Sequence, residues 1–127
     1  MSRKEFIEAN GATCKNWTWS WSFVNHEEKF IIFGAWDIHW DPVLGNRKIA
    51  ILSKDWERSE KGRRQPGYAQ ALEHIRLVEE EGYRLKIFNM NFSRLDEQDA
   101  PAKIEDFEPK LYDRDLKRQG SVWYAVY

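Results

Sequence analysis

The chain has 127 residues, 42% hydrophobic and 15% aromatic, which supports one core of ordinary domain size and argues against disorder. Twenty Lys and Arg against 21 Asp and Glu leave a formal net charge of -1, which excludes a strongly basic nucleic-acid coat but leaves room for a local basic patch. A single cysteine, Cys14, excludes a disulfide framework or a cysteine zinc cluster. Met1 to Glu8 lacks the apolar run of a signal peptide and no stretch reaches the ~20 apolar residues of a membrane span, so the expected setting is reducing and cytoplasmic, without a membrane partner.

Along the chain, Ser2-Arg3-Lys4-Glu5 fits a capping box before a short helix carrying Phe6, Ile7 and Ala9, which ends near Asn10-Gly11. Asn16 to Phe23 then places Trp17, Trp19, Trp21 and Phe23 at alternate positions. Extended, that segment lines one face with four aromatics and the other with Thr18, Ser20 and Ser22. Val24 to Glu28 reads as a turn, and Lys29 to Trp36 as an almost wholly apolar, central strand forming a hairpin with the first. Asp41 to Asn46 has loop chemistry, and Lys48 to Ser53 is a third strand. After a polar stretch, the clearest helix spans about 68–81, with Ala71, Leu72, Ile75 and Val78 at helical spacing and Gly82 as its stop. Arg84 to Phe92 is a fourth strand, followed by a loop with Asp96, Asp99 and Pro101, a turn around Asp113, and a last strand within Gly120 to Tyr127. One helix inserted among strands predicts a single α+β domain over 1–127: a curved, barrel-like, mixed or antiparallel sheet with helices packed on it.

Seven tryptophans are more indole than a small core needs. They form either an unusually aromatic core or the wall of a pocket for a flat ligand such as a nucleobase. Trp36 and Trp40, four apart at a strand end, extend the same wall. Lys61-Gly62-Arg63-Arg64-Gln65 is the densest positive run; it is either a solvated loop or a grip on phosphates. Asp37-Ile38-His39-Trp40-Asp41 holds oxygen and nitrogen donors, but it runs into Pro42 and no second cluster completes a metal site. His74 reads as structural or exposed, and His26 lies in a turn. No phosphate-binding glycine loop, nucleophile elbow or zinc motif is present, so neither metal nor cofactor is expected and catalysis is the weaker class.

Several strings together resemble the N-terminal part of bacterial HNH endonucleases of the methylcytosine-specific restriction type. They are Ala12 to Trp17 with Trp19 to Asn25, Phe33 to Asp37, Ser53 to Glu57, Gly62 to Tyr68, Glu73 to Tyr83 and Pro101 to Ile104. The resemblance implies a bacterial reader module of a modification-dependent restriction system, joined in the full-length protein to an HNH nuclease domain. By analogy it implies a PUA-like fold, the group that includes EVE, YTH and SRA readers. The nuclease half, with its paired histidines and zinc cysteines, is missing from these 127 residues.

The expectation is therefore a non-catalytic reader of methylated or hydroxymethylated cytosine in DNA. Chemistry selects Trp19, Trp21 and Trp36 for stacking, with Trp17 and Trp40 as alternates, and Asn25, Asp37 and Asn91 for the base edge. Lys61, Arg63 and Arg64 would hold phosphates, supported by Lys86 and Lys103. Two rival readings are a protein-interaction module with a tryptophan hot spot and a small metal-dependent hydrolase on Asp37, His39 and Asp41.

Overall fold

The first helix starts where its capping box predicts. The Ser2 hydroxyl accepts the Glu5 backbone N–H and the Glu5 carboxylate accepts the Ser2 N–H, both at 3.1 Å, which opens α1 (Arg3–Ala9). The structure is a computed structural model describing residues 2–36, 48–58, 61–90 and 107–127. Six strands follow α1: β1 (Ser22–Asn25), β2 (Phe30–Trp36), β3 (Lys48–Ser53), β4 (Arg84–Met90), β5 (Tyr112–Gln119) and β6 (Val122–Val126). A 3-10 turn (Lys54–Trp56) and α2 (Pro66–Glu81) lie between β3 and β4. No helix among these residues is long and apolar enough to cross a membrane.

The fold is α+β, with one mixed sheet in the order β1-β2-β4-β5-β6-β3. Among the described strands only β2 and β4 run parallel, because the chain between them crosses over through β3 and α2. The predicted hairpin forms, pairing Ser22 with Phe33 and Asn25 with Phe30. Barrel closure does not. A barrel requires the first and last strands to bond, whereas the outer edge of β1 is met by Thr13, whose backbone exchanges bonds of 2.9 and 2.8 Å with Val24. The sheet stays open, with β1 and β3 at its two ends.

β2 is apolar throughout because both of its faces are covered. Ile31, Phe33 and Ala35 join Tyr68, Ala71 and Ile75 of α2 in one core cluster. Phe30 and Ile32 join Phe6 and Ile7 of α1 in the other, where Phe6 meets Phe88 edge-on at 5.8 Å. β6 is likewise an interior strand and not the sheet's end, and it carries the buried Trp123.

β5 is where a turn around Asp113 was expected. Its sequence Tyr112-Asp113-Arg114-Asp115-Leu116-Lys117-Arg118-Gln119 is mostly charged, yet Tyr112, Arg114 and Leu116 are half-buried at every second position up to Leu116. The strand is held by its hairpin to β6, which turns at Gly120-Ser121 with Gly120 at φ 61°. A glycine in the first of two turn residues is what a type II′ hairpin requires.

His74 lies on the inner face of α2, 6% exposed, with its Nδ1 2.5 Å from the Ser22 hydroxyl. Burial, reinforced by His26, lowers its pKa to about 4 from the usual 6.5, so the ring is neutral at pH 7. The unfolded chain then binds this proton more tightly than the folded one. Stability from this group is whole above pH 6.5 and falls as the pH drops towards 4, by about 3 kcal/mol in full. Denaturant melts at stepped pH should show that decline in the wild type and a flatter profile in His74→Gln. Parallel profiles for the two proteins would contradict it.

Candidate functional site

The indole strand expected over residues 17–23 does not form. Residues 17–19 are a turn and only Ser22 to Phe23 of that run is strand. The cause is local: Asn and Ser side chains compete for backbone groups that a ladder would use. Asn16 Oδ1 accepts the Thr18 N–H at 2.8 Å, the Ser20 hydroxyl accepts the Asn16 N–H at 3.3 Å, and Ser20 N–H bonds to Asn16 O at 3.0 Å. Gln70 of α2 anchors this turn, donating to the Ser20 hydroxyl at 2.7 Å and accepting the Lys15 N–H at 2.8 Å.

The turn separates tryptophans that alternation would have kept together. Trp17 stacks on Phe23 at 5.7 Å and 22° and packs against the α1-side cluster, with the Lys4 ammonium over its ring. Trp21 packs instead against the α2-side cluster. Between these places lies a cleft of about 940 Å³, lined by Trp19, Trp21, Trp36 and Trp56. That volume suits a drug- or nucleotide-sized ligand. Phe23, Gly34, Phe88 and Met90 contribute from β1, β2 and β4, where Gly34 pairs with Phe88 and Trp36 with Met90. Ala50 and Ile51 contribute from β3, where the register with β6 shifts between Ala50 and Leu52; such bulges re-aim side chains beside sites.

Two glycines leave this space open. A Cβ on Gly67 would stand 2.6 Å from the Trp19 carbonyl oxygen and 2.7 Å from the Trp21 ring, so the start of α2 approaches the tryptophan turn only because residue 67 lacks one. A Cβ on Gly34 would meet the Met90 methyl at 2.5 Å and Phe88 at 3.1 Å.

The basic run borders the same cleft. Gln65 N–H bonds to Glu57 O at 2.9 Å and Arg58 bridges Arg64, drawing residues 61–65 back as a loop against 57–58. Arg58 Nη1 donates to Gly62 O at 3.1 Å inside that loop. Arg58, Lys61 and Gln65 line the cleft, while Arg63 and Arg64 are exposed beside it. Asp55 enters from the 3-10 turn, whose start Ser53 caps by accepting the Asp55 N–H at 3.2 Å.

Of the residues expected to form the site, the fold gathers Trp19, Trp21, Trp36 and Lys61 on one cleft and sets Arg63 and Arg64 next to it. Trp17 is not among the lining residues. Asn25 is buried, with its amide donating to Asn10 O at 3.3 Å and accepting from the Glu28 N–H at 2.9 Å, away from the cleft lining. Lys86 is paired with Asp113 at 2.6 Å on the β4–β5 ladder and lies over the Phe30 ring, also outside the lining. Trp40, Asp37, Asn91 and Lys103 lie outside the described residues, as do His39 and Asp41. Among the described residues no group of three His, Cys, Asp or Glu stands ready to hold a metal.

Trp56, Asp55 and Arg3 were not expected at the site. Trp56 had a legible clue, an indole following a buried strand and preceding the basic run. Arg3 had none, since only the packing of α1 under the sheet brings it to the cleft. Comparison of the chain with protein-family models, with characterised proteins and with solved structures finds no match to any.

Proposed function

We propose that this chain is a binding module that takes a modified base of DNA, a methylated or hydroxymethylated cytosine, into the tryptophan cleft and performs no chemistry on it. One observation carries the reading: four indoles line a cleft of about 940 Å³ whose edge is a basic loop. Aromatic faces stack an exposed base irrespective of its identity, and adjacent cations hold its phosphates, the combination by which proteins grip unpaired nucleotides. The reading includes a PUA-like assignment for the fold and a targeting role for an HNH nuclease domain in a restriction system, both of which rest on the sequence resemblance.

The test is a tryptophan-fluorescence titration with short duplexes carrying cytosine, 5-methylcytosine, 5-hydroxymethylcytosine or N6-methyladenine at one site, at fixed salt. Saturable quenching by modified duplexes and not by the unmodified one supports a base reader. No response to any duplex from the folded protein discards it in favour of a protein-interaction module.

The loop makes a separate prediction. Arg63→Ala with Arg64→Ala should weaken modified and unmodified duplexes alike and flatten the dependence of log K on log salt by about one to two, because each lost phosphate contact removes about 0.9 from that slope. An unchanged slope would remove both arginines from the DNA interface.

A further inference from the structure

Arg3 is the cleft-lining cation least suited to a phosphate. Arg58 and Lys61 are exposed, whereas Arg3 is partly buried, with its guanidinium 5.7 Å from the Phe23 ring centre. Burial lowers its pKa, opposed by Cys14 nearby, yet a guanidinium stays charged in proteins. Among the described residues one of its five donors is used, by a long 3.4 Å bond from Nη2 to the Trp17 carbonyl. No carboxylate pairs with it among the described residues. A partly desolvated cation with unused donors, set among aromatic rings, is stabilised by any ligand that brings an oxygen acceptor to it.

Resting on the base-reader reading above, we infer that Arg3 is a specificity-determining residue that selects a base bearing an oxygen-rich substituent, carboxyl above hydroxymethyl, over a methyl. The exposed loop cations suffice for the phosphates, and a planar guanidinium matches the two oxygens of a carboxylate in a way an ammonium does not. A methyl group offers Arg3 no acceptor and leaves its donors unused.

Affinities of the wild type, Arg3→Gln, Arg3→Lys and Lys61→Gln are measured for duplexes with cytosine, 5-methylcytosine, 5-hydroxymethylcytosine or 5-carboxylcytosine at one site. The wild type should bind the carboxyl duplex about tenfold or more tightly than the methyl one, the size of one charge-assisted bidentate contact. Arg3→Gln should weaken the carboxyl duplex far more than the methyl one and so erase that preference, Arg3→Lys should keep part of it, and Lys61→Gln should lower all four together. If Arg3→Gln fails to fold, the wild-type ranking and Arg3→Lys carry the test. A wild type that binds the methyl duplex as well as or better than the carboxyl one overturns the inference and leaves the base reader standing. Equal weakening of all duplexes by Arg3→Gln also overturns it, placing Arg3 on a phosphate. A wild type that binds none of them removes both.

Discussion

Gly67→Ala is expected to destabilise the protein by about 1–3 kcal/mol, the usual cost of overpacking, although alanine is ordinarily the better helix former by about 1 kcal/mol. The sign follows from what the added methyl meets. The Trp19 carbonyl at 2.6 Å is backbone, in a turn held by Asn16, Ser20 and Gln70, and the Trp21 ring at 2.7 Å is wedged against the core. Neither can step aside without moving the turn. Gly34→Ala is the internal control. Its closest contacts, at 2.5 and 2.8 Å, are the terminal methyl and sulfur of Met90, a side chain that can swing away, so it should cost less. Denaturant melts of the two variants decide the matter: a Gly67→Ala loss no larger than that of Gly34→Ala would show that the turn is not held as described. Because the displaced atoms belong to Trp19 and Trp21, a folded Gly67→Ala protein should also show shifted indole emission and weaker ligand binding.

Trp21→Ala is expected to weaken binding of modified DNA about 5- to 150-fold, the range corresponding to about 1–3 kcal/mol for one base stacked on an aromatic ring, while binding of unmodified DNA changes little. Trp21 also packs against the core, so some stability is lost with it, and circular dichroism of the variant must accompany the titration. Trp19→Ala separates the two roles, since Trp19 lines the cleft without belonging to either core cluster. It should lose affinity at smaller cost to the fold. Equal losses on modified and unmodified DNA from both folded variants would sink the stacking assignment and leave the indoles a structural or protein-binding role.

Much of the architecture was legible in the chain because it depends on neighbours in sequence. The Ser2–Glu5 box, the turn joining β1 to β2 (His26 to Lys29, two residues later than the Val24–Glu28 reading), the 3.6-residue spacing of Ala71, Ile75 and Val78 (Leu72, predicted with them, is exposed) and the glycine stop at Gly82 each act within a few residues. β5 was illegible for the opposite reason: a strand of alternating charges carries little apolar signal, and its partners β4 and β6 supply the order. The tryptophan run misled because alternation describes a strand only when the backbone is free to be one. Here Asn16 and Ser20 satisfied that backbone locally and bent it.

The order of residues alone supplies the materials of the candidate site: indoles at 19, 21 and 36 and a cationic run at 61–64. Those follow from residue identity and local spacing. Which of them meet is set by the packing of distant segments, which brings Trp56, Asp55 and Arg3 to the cleft, leaves Trp17 against Phe23, and holds Asn25 and Lys86 in bonds elsewhere. A cleft is made by surfaces from α1, the tryptophan turn, the four strands β1 to β4 and the start of α2, and their approach is set by packing and by the missing Cβ of Gly67, which would stand 2.6 Å from the Trp19 carbonyl oxygen, a proximity that no local pattern encodes.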